Sequence, residues 1–205
     1  MPRPRFEKLP AARRVALLEA AAQEFGALGF EDASINHILE VAGVSKGAAY
    51  YYFDNKEDLF LTVVRHYLDV LGLGNFEAMP DNITAETFWS ELTELYRKPF
   101  VRSLDYDWAF GVWRAAGEIW RSRPTGALAE FANQYIAVLE RLLKRGQDLG
   151  VIRRDLPDDL LMAWVRAVDD ANDRWILEHW QELDQQTLAV AADRVVDALR
   201  RLIGT

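Results

Sequence analysis

The sequence of 205 residues contains no cysteine, which excludes disulfide bonds, thiolate metal ligands and a thiol nucleophile. It also lacks any apolar run approaching the roughly 20 residues that a membrane-spanning helix needs. The basic N-terminal stretch MPRPRFEKLPAARR is not followed by the apolar core of a signal peptide. We therefore expect a soluble protein of the cytoplasm, and the lack of cysteine agrees with a reducing compartment.

Motifs of catalysis are scarce as well. The sequence has no Ser/His/Asp arrangement, no glycine-rich phosphate loop and no HExxH motif. Residues 169–173, DDAND, match the DDxxD pattern with which isoprenoid synthases bind magnesium diphosphate, because carboxylates one helical turn apart can chelate a metal ion. No second acidic metal motif accompanies this match, so a solvated acidic face is favoured. We predict no enzymatic activity, no catalytic residue, no metal site and no cofactor, with a magnesium-dependent isoprenoid-type enzyme as an alternative.

The balance of charge differs between the two parts of the chain. Residues 1–56 carry seven basic and seven acidic side chains, so the remaining 149 residues carry the whole formal charge of −8. Five of the basic residues lie within the first fourteen positions. Because an acidic protein binds polyanions poorly in general, any contact with nucleic acid must be local and matched in shape.

Helical periodicity runs through the whole sequence, and no strand pattern is convincing. Four shorter helices are predicted first, over residues 10–28, 34–42, 46–52 and 55–71, with capping residues Ser34, Ser45 and Asn55 and glycines at the ends. Five longer helices follow the Met79-Pro80-Asp81 break, over residues 84–103, 106–120, 125–149, 157–182 and 185–203. The predicted fold is therefore all-α, with a three-helix helix-turn-helix domain over residues 1–56 and a bundle of five to six long helices over residues 57–205, about nine helices in all.

Gly43, Val44 and Ser45 form the predicted turn between two short helices: a residue that tolerates positive φ, an apolar plug and a cap. Around this turn the sequence resembles the N-terminal pattern of the TetR family of transcriptional regulators. The residues that carry the resemblance are Leu28-Gly29-Phe30, Ser34-Ile35, Ala42-Gly43-Val44-Ser45-Lys46-Gly47, Tyr50, Tyr52-Phe53 and Lys56-Glu57-Asp58-Leu59.

The resemblance implies that helix 46–52 enters the DNA major groove. Tyr50 and Phe53 would then pack inward, while Tyr51 and Tyr52 would face the phosphate backbone, where a tyrosine hydroxyl is a suitable donor. Lys56 is implied as a further phosphate contact. Base reading would fall to Lys46 and the backbone at Gly47, with Ala48 able to contact only a thymine methyl. The full predicted DNA-binding set is Ser34, Asn36, His37, Ser45, Lys46, Gly47, Ala48, Tyr51, Tyr52 and Lys56.

Ala48 and Ala49 depart from the family pattern, which often has threonine or serine at the first position and a larger apolar residue at the second. The alanine at position 48 removes a hydrogen bond to phosphate or base. Arg3 and Arg5 have two interpretations, a disordered arm that reaches a groove or a solvated tail, and the tail is preferred.

All seven tryptophans lie in the second part of the chain, and several share helical stripes with glycine and alanine. Such stripes are usually core, but large rings facing small residues across a bundle can also line an apolar pocket. For His179 a satisfied interface or core histidine is preferred. The predicted pocket for a small apolar or planar effector comprises Trp89, Phe110, Trp113, Gly117, Trp120, Phe131, Trp164, Val168, Asn172 and Trp175.

Helix 185–203 carries a broad apolar face that suits packing on a symmetry-related copy, and the resemblance implies a dimer through this helix and the preceding one. The predicted interface consists of Leu188, Ala191, Ala192, Val195, Val196 and Leu199. Together these features predict a homodimeric, ligand-responsive regulator, a repressor in preference to an activator, which binds a two-fold symmetric operator in double-stranded DNA and is released by a small effector. A helical interaction module that no longer binds DNA is the remaining alternative.

Overall fold

The computed structural model describes residues 2–45, 49–73, 83–122 and 124–205. In these ranges the regular elements are helices, joined by one isolated antiparallel bridge between Ile152 and Gly204. They are α1 (Pro4–Glu7), α2 (Ala11–Asp32), α3 (Ile35–Val41), α4 (Ala49–Tyr52), α5 (Lys56–Leu71), α6 (Phe88–Ser103), α7 (Ala109–Arg121), α8 (Gly126–Asp148), α9 (Asp158–His179), a 3₁₀ turn (Trp180–Glu182) and α10 (Gln185–Ile203). The predicted all-α class is confirmed. Over the described ranges, none of these helices combines the length and the apolar character needed to span a membrane.

The helix ends follow the predicted capping residues. Ser34 accepts a hydrogen bond from the amide of His37, and Asn55 accepts one from the amide of Asp58. Gly72 ends α5 in the left-handed conformation, with φ of 83°. Because these side chains and this glycine satisfy terminal backbone groups, the sequence predicts the starts of α3 and α5 and the end of α5.

Other boundaries differ from the prediction. Gly29 adopts φ of 76° and kinks α2, but helical residues continue beyond it to Asp32. α6 and α7 begin at Phe88 and Ala109, later than the predicted starts at residues 84 and 106. The Met79-Pro80-Asp81 break and the predicted helical residues 46–48 lie outside the described residues.

The helices pack into two compact units. The first comprises Met1–Gly74 and Tyr106–Ala132, and the second comprises Asn75–Asp105 and Asn133–Thr205. The helix-turn-helix therefore shares its unit with α5, α7 and the first turns of α8. The predicted domain boundary, between residues 56 and 57, falls inside this first unit, at the start of α5.

In the first unit, α7 crosses α2 at a pair of glycines. A Cβ atom added to Gly111 would lie 2.7 Å from the Cα of Gly26, and one added to Gly26 would lie 3.0 Å from the Cα of Gly111. The Arg114 guanidinium donates to the Gly26 carbonyl at 2.5 Å. Because only glycine lets the two backbones approach this closely, this crossing holds α7 tightly to the helix that supports α3.

The second unit is built around a packed apolar cluster and the pairing of α6 with α10. The cluster consists of Ile83, Phe88, Leu143, Ile152, Leu161 and Ile203. Gly146 lies where Ile152 and Phe88 close over the backbone of α8, and a Cβ atom there would meet the Ile152 side chain at 2.4 Å. This core fixes α6, α8, α9 and α10 relative to one another.

Candidate nucleic-acid interface

The supporting helix of the predicted helix-turn-helix, α3, is tied to α2 by Glu24. One carboxylate oxygen of Glu24 accepts from the amide of Ser34 at 2.9 Å, and the other lies 2.6 Å from Nδ1 of His37. Burial raises the pKa of Glu24, but the Ser34 amide and the His37 ring together outweigh that effect and hold the pKa below its ordinary value. Glu24 is therefore a carboxylate near neutral pH and fixes the start of α3.

Gly43 and Val44 give the turn after α3 its predicted features, whereas the helix that Ser45 is predicted to cap begins outside the described residues. Gly43 adopts φ of 65°, and a Cβ atom there would meet nothing within 4 Å, so the backbone conformation alone favours glycine. The amide of Val44 donates to the carbonyl of Leu39 at 2.8 Å, and Val44 is half-buried. Ser45 is exposed at the end of the turn, as are Asn36 and His37 on α3. The predicted readers Lys46, Gly47 and Ala48 lie outside the described residues, and so do the side chains of Ala49 and Tyr50.

The described aromatic residues at the end of α4 point in different directions. Phe53 is buried, as predicted, whereas Tyr51 is 46% exposed. Tyr52 is half-buried, with its ring edge-on to Tyr51 at 5.1 Å and to Phe6 at 6.3 Å. Of the two tyrosines expected to face phosphate, Tyr51 presents its ring to solvent more openly, and Tyr52 also serves as packing.

The N-terminal residues are neither a disordered arm nor a solvated tail, and both interpretations are wrong. α1 is a short helix whose Phe6 is 1% exposed and lies 5.0 Å from the Phe53 ring. The Arg3 amide donates to the Tyr52 carbonyl at 2.8 Å, and its guanidinium binds the Asp54 carboxylate at 2.7 Å. The Arg5 guanidinium lies 4.4 Å from the Tyr51 ring centroid. The sequence signal that was missed is the single aromatic residue, Phe6, among basic and proline residues.

Lys56 has contacts that the sequence did not predict. Its ammonium donates to the carbonyls of Glu31 and Ala33, at 2.6 Å and 3.1 Å, and lies over the Phe30 ring. These contacts join the start of α5 to the end of α2. The phosphate contact of Lys56 stays a prediction, and the ammonium would have to share its donors to make it.

This capped helix-turn-helix, braced by α2 and α5, has counterparts among known proteins. The sequence model of the bacterial regulatory proteins of the tetR family matches residues 17–63. The HTH-type transcriptional repressor AcnR of Corynebacterium diphtheriae is 30% identical over 166 residues, which are 77% of this chain and 77% of that protein. The chain belongs to the TetR family of transcriptional regulators. The resemblance carried by the helix-turn-helix residues is thereby confirmed.

Two further similarities accompany this assignment to the TetR family. The HTH-type transcriptional regulator RutR of Escherichia coli is 42% identical over 59 residues, 29% of this chain and 28% of that protein. The crystal structure of the transcriptional regulator FadR of Bacillus subtilis, in complex with stearoyl-CoA, superposes with a TM-score of 0.67 at 19% identity and covers 90% of this chain and 96% of that one. At that identity the superposition shows that the fold is shared.

Five of the residues predicted to line an effector pocket of this TetR regulator lie in the first unit, and they form two aromatic pairs and a glycine. Phe110 is buried and lies 6.0 Å from the half-buried Trp113, and Trp120 stacks on the buried Phe131 at 6.4 Å. Gly117, between them along α7, is covered by the Arg121 guanidinium, which would lie 3.3 Å from an added Cβ atom. The predicted aromatic stripe on α7 thus exists, and the Arg121 side chain packs over its glycine, Gly117.

The other five predicted pocket residues lie in the second unit. Trp89 and Trp164 pack against the apolar cluster of that unit, and Val168 is half-buried. Asn172 donates to the Tyr96 hydroxyl at 3.5 Å. Trp175 is 44% exposed and stacks on His179 at 4.7 Å, so its ring lies at the surface of α9 and does not line the interior of this unit.

The acidic run on α9 holds a polar cluster that sequence reasoning missed. Asp169, from the DDxxD match, accepts from the hydroxyls of Tyr96 on α6 and Tyr135 on α8, the latter at 3.1 Å. Burial raises the pKa of Asp169, and the same burial together with the Asp169 charge raises the pKa of both tyrosines. Asp170 instead pairs with Arg174 at 2.7 Å. The predicted solvated acidic face is therefore wrong for Asp169, whose two oxygens already bind tyrosine hydroxyls.

The predicted dimer face of α10 is turned inward. Leu188, Ala192, Val195, Val196 and Leu199 are all buried within the single chain, where α10 packs on α6. Their proposed role as an exposed interface is wrong, because helical periodicity identifies an apolar face without saying which neighbour covers it. Ala191 is half-buried and Val190 is 50% exposed. An outward apolar stripe lies instead on α9, and its members are Leu160, Ala163, Ala167, Ala171 and Trp175.

Proposed function

We propose that this TetR-family protein is a cytoplasmic repressor that binds a two-fold symmetric DNA operator as a homodimer and releases it when a small apolar or aromatic effector binds. The observation that carries the proposal is a capped helix-turn-helix with Tyr51 exposed at its end, in a chain 30% identical to a transcriptional repressor over 77% of its length. A tyrosine hydroxyl in this position suits a phosphate oxygen.

Homodimerisation would use the stripe on α9 together with Val190 on α10. The stripe consists of exposed residues spaced three and four positions apart, most of them alanine, and its large members are Leu160 and Trp175. Small residues let two helices approach closely, and large apolar residues at the ends supply buried area. A two-fold dimer formed in this way presents two copies of α4 to two half-sites.

Effector control would run through contacts within the first unit. The amide of Leu128 at the start of α8 donates to the Glu57 carboxylate at 2.9 Å, and Arg65 of α5 lies over the Phe131 ring. α7 contacts α2 through the Gly26 and Gly111 crossing. An effector that separates Trp113 or Trp120 from its aromatic partner would therefore move α7 or α8, and with them α5 and α2, which hold α3 and α4. The effector can weaken operator binding only by as much as its own affinity differs between the two conformations. Each tenfold change in operator affinity requires about 1.4 kcal/mol.

The experiment that tests DNA binding begins with selection of duplexes from a random-sequence library on the full-length protein. Fluorescence anisotropy then compares the selected duplex with a scrambled one for the wild type, Tyr51→Phe and Tyr51→Ala. We expect specific binding by the wild type. Both variants should bind the selected duplex roughly tenfold more weakly, because a hydrogen bond to a charged oxygen contributes about 1.5–3 kcal/mol. Failure to enrich any sequence, or equal affinity for selected and scrambled duplexes, would contradict the proposal.

The effector is tested with the seven tryptophans as reporters. Compounds with apolar or planar aromatic bodies are screened for a change in intrinsic fluorescence and, separately, for weaker binding to the selected duplex. We expect the same compounds to do both, because Trp113 and Trp120 lie on the elements that would move. A screen in which fluorescence and DNA affinity never change together would contradict effector control while leaving operator binding intact.

A further inference from the structure

α1 is anchored to the end of α4 by three kinds of contact. Phe6 is buried against Tyr52 and Phe53, the Arg3 amide donates to the Tyr52 carbonyl, and the Arg3 guanidinium binds Asp54. Pro4 at the first helical position restricts the backbone further. These contacts therefore fix the position of Arg5, which immediately precedes Phe6.

Arg5 differs from Arg3, Arg14 and Lys56 in how its charge is used. The Arg3 charge is neutralised by Asp54, Arg14 pairs with Glu7 at 2.9 Å, and Lys56 donates to two carbonyls. Arg5 is exposed, and in the described part of the chain its guanidinium meets a ring face and no carboxylate. Its positive charge is therefore available to an external anion.

In the described part of the chain, the N–H donors of Arg5 form no hydrogen bond. The central carbon of the guanidinium lies 4.4 Å from the Tyr51 ring centroid, within the range of a cation–π contact. Its five N–H groups lie in the guanidinium plane, in a fork that matches phosphate oxygens. The same contact restrains the Tyr51 ring, so that the tyrosine hydroxyl and the arginine donors are held together on one surface.

We propose that Arg5 and Tyr51 form one composite phosphate clamp, in which Arg5, carried by α1, binds a DNA backbone phosphate next to the one that Tyr51 contacts. This inference rests on the proposed DNA-binding function and adds α1 to the DNA-binding surface. The clamp depends on Phe6 and Arg3, which dock α1 against the end of α4.

The test is the dependence of affinity on salt for the selected duplex, measured by fluorescence anisotropy with the full-length wild type, Arg5→Ala, Arg5→Lys and Arg102→Ala. Arg102 is an exposed arginine near the end of α6 and serves as the matched control for loss of one positive charge. We expect Arg5→Ala to weaken binding roughly tenfold or more and to lower the slope of log affinity against log salt by about two, because the proposed dimer carries two copies of Arg5 and each phosphate contact contributes about one to the slope. Arg5→Lys should restore the slope but only part of the affinity, because lysine keeps the charge without the planar donors.

Arg102→Ala should match the wild type in both quantities, and thermal unfolding should be unchanged in all variants. Wild-type affinity and slope in Arg5→Ala would overturn the clamp while leaving operator binding standing. A weaker Arg5→Ala complex with an unchanged salt slope would also overturn it, because Arg5 would then act only by packing Tyr51. Absence of specific binding by the wild type would overturn the proposed function and the clamp together.

Discussion

The Asp169 carboxylate accepts hydrogen bonds from Tyr96 and Tyr135, which belong to two different helices of the second unit. Burial raises its pKa above the ordinary value of 3.8, so the folded protein binds this proton more tightly than the unfolded chain does. This contribution to stability is therefore largest at low pH and is lost as the pH rises through the folded-state pKa. The two hydrogen bonds from tyrosine hydroxyls favour the ionised form and limit this rise in the pKa of Asp169.

Two substitutions of Asp169 are expected to have opposite effects. Asp169→Asn removes the ionisable group and keeps an acceptor, so its free energy of unfolding should come to equal or exceed that of the wild type as the pH rises through the folded-state pKa of Asp169. Asp169→Ala leaves the tyrosine hydroxyls without their acceptor and should cost about 1–3 kcal/mol. Urea unfolding from pH 3.8 upward measures both variants. A destabilised Asn variant that keeps the wild-type dependence on pH would contradict this account.

The sequence predicts some residue roles on the DNA-binding surface and not others. Local backbone requirements make some roles predictable. Helix starts need a capping side chain, which Ser34 and Asn55 supply, and a turn with positive φ favours glycine, which stands at position 43. The roles of Phe6 and Arg3 are not predictable, since they depend on contacts with residues about fifty positions away, where Tyr52, Phe53 and Asp54 lie. The hydrogen bonds of Lys56 to the end of α2 are equally unpredictable, because nothing in the sequence near Lys56 indicates them.

At the scale of elements, the crossing of α2 and α7 gives the sharpest prediction. Gly111→Ala places a Cβ atom 2.7 Å from the Gly26 backbone, which cannot yield without moving a helix. We expect a loss of about 1–3 kcal/mol in the free energy of unfolding, as for other overpacked sites. Gly117→Ala, on the same helix, meets only the end of the flexible Arg121 side chain at 3.3 Å.

The Gly117→Ala variant is therefore the matched control, and it should be neutral or stabilising by up to about 1 kcal/mol, because alanine favours helix more than glycine does. Urea unfolding of the two variants beside the wild type measures the difference. Equal stability of the two variants would show that the α2 and α7 backbones do not meet at Gly111. Only the structure distinguishes these glycines, since both lie at interior positions of α7 in the sequence.

Element type was predictable from α2 onward, whereas the helix α1 and the partner of each apolar face were not. The spacing of apolar residues in α10 correctly indicates a buried face, but the same spacing fits burial against a neighbouring helix or against a second copy. Leu188 and Val196 pack inside the chain, and the outward stripe on α9 was hidden because alanine contributes little to an apolar pattern.

For the whole molecule, the stripe on α9 predicts how a dimer can be broken without unfolding the chain. Ala167 is exposed near the middle of the stripe, so Ala167→Glu should leave the helical circular dichroism unchanged and convert a dimer to a monomer by burying charge in the interface. Ala12→Glu, at an exposed position in the first turn of α2, is the matched control and should remain dimeric. Sedimentation equilibrium measures both, and a dimeric Ala167→Glu protein would exclude this stripe as the interface.

The central claim, that two copies of the helix-turn-helix read a two-fold operator, is tested most directly by scrambling one half-site of the selected duplex. The wild type should lose roughly a hundredfold or more in affinity, because each lost base pair costs about 1–3 kcal/mol. Ala167→Glu should bind the intact and the half-scrambled duplex with similar, weak affinity. If the wild type instead binds both duplexes equally well, the protein does not read a two-fold operator as a dimer.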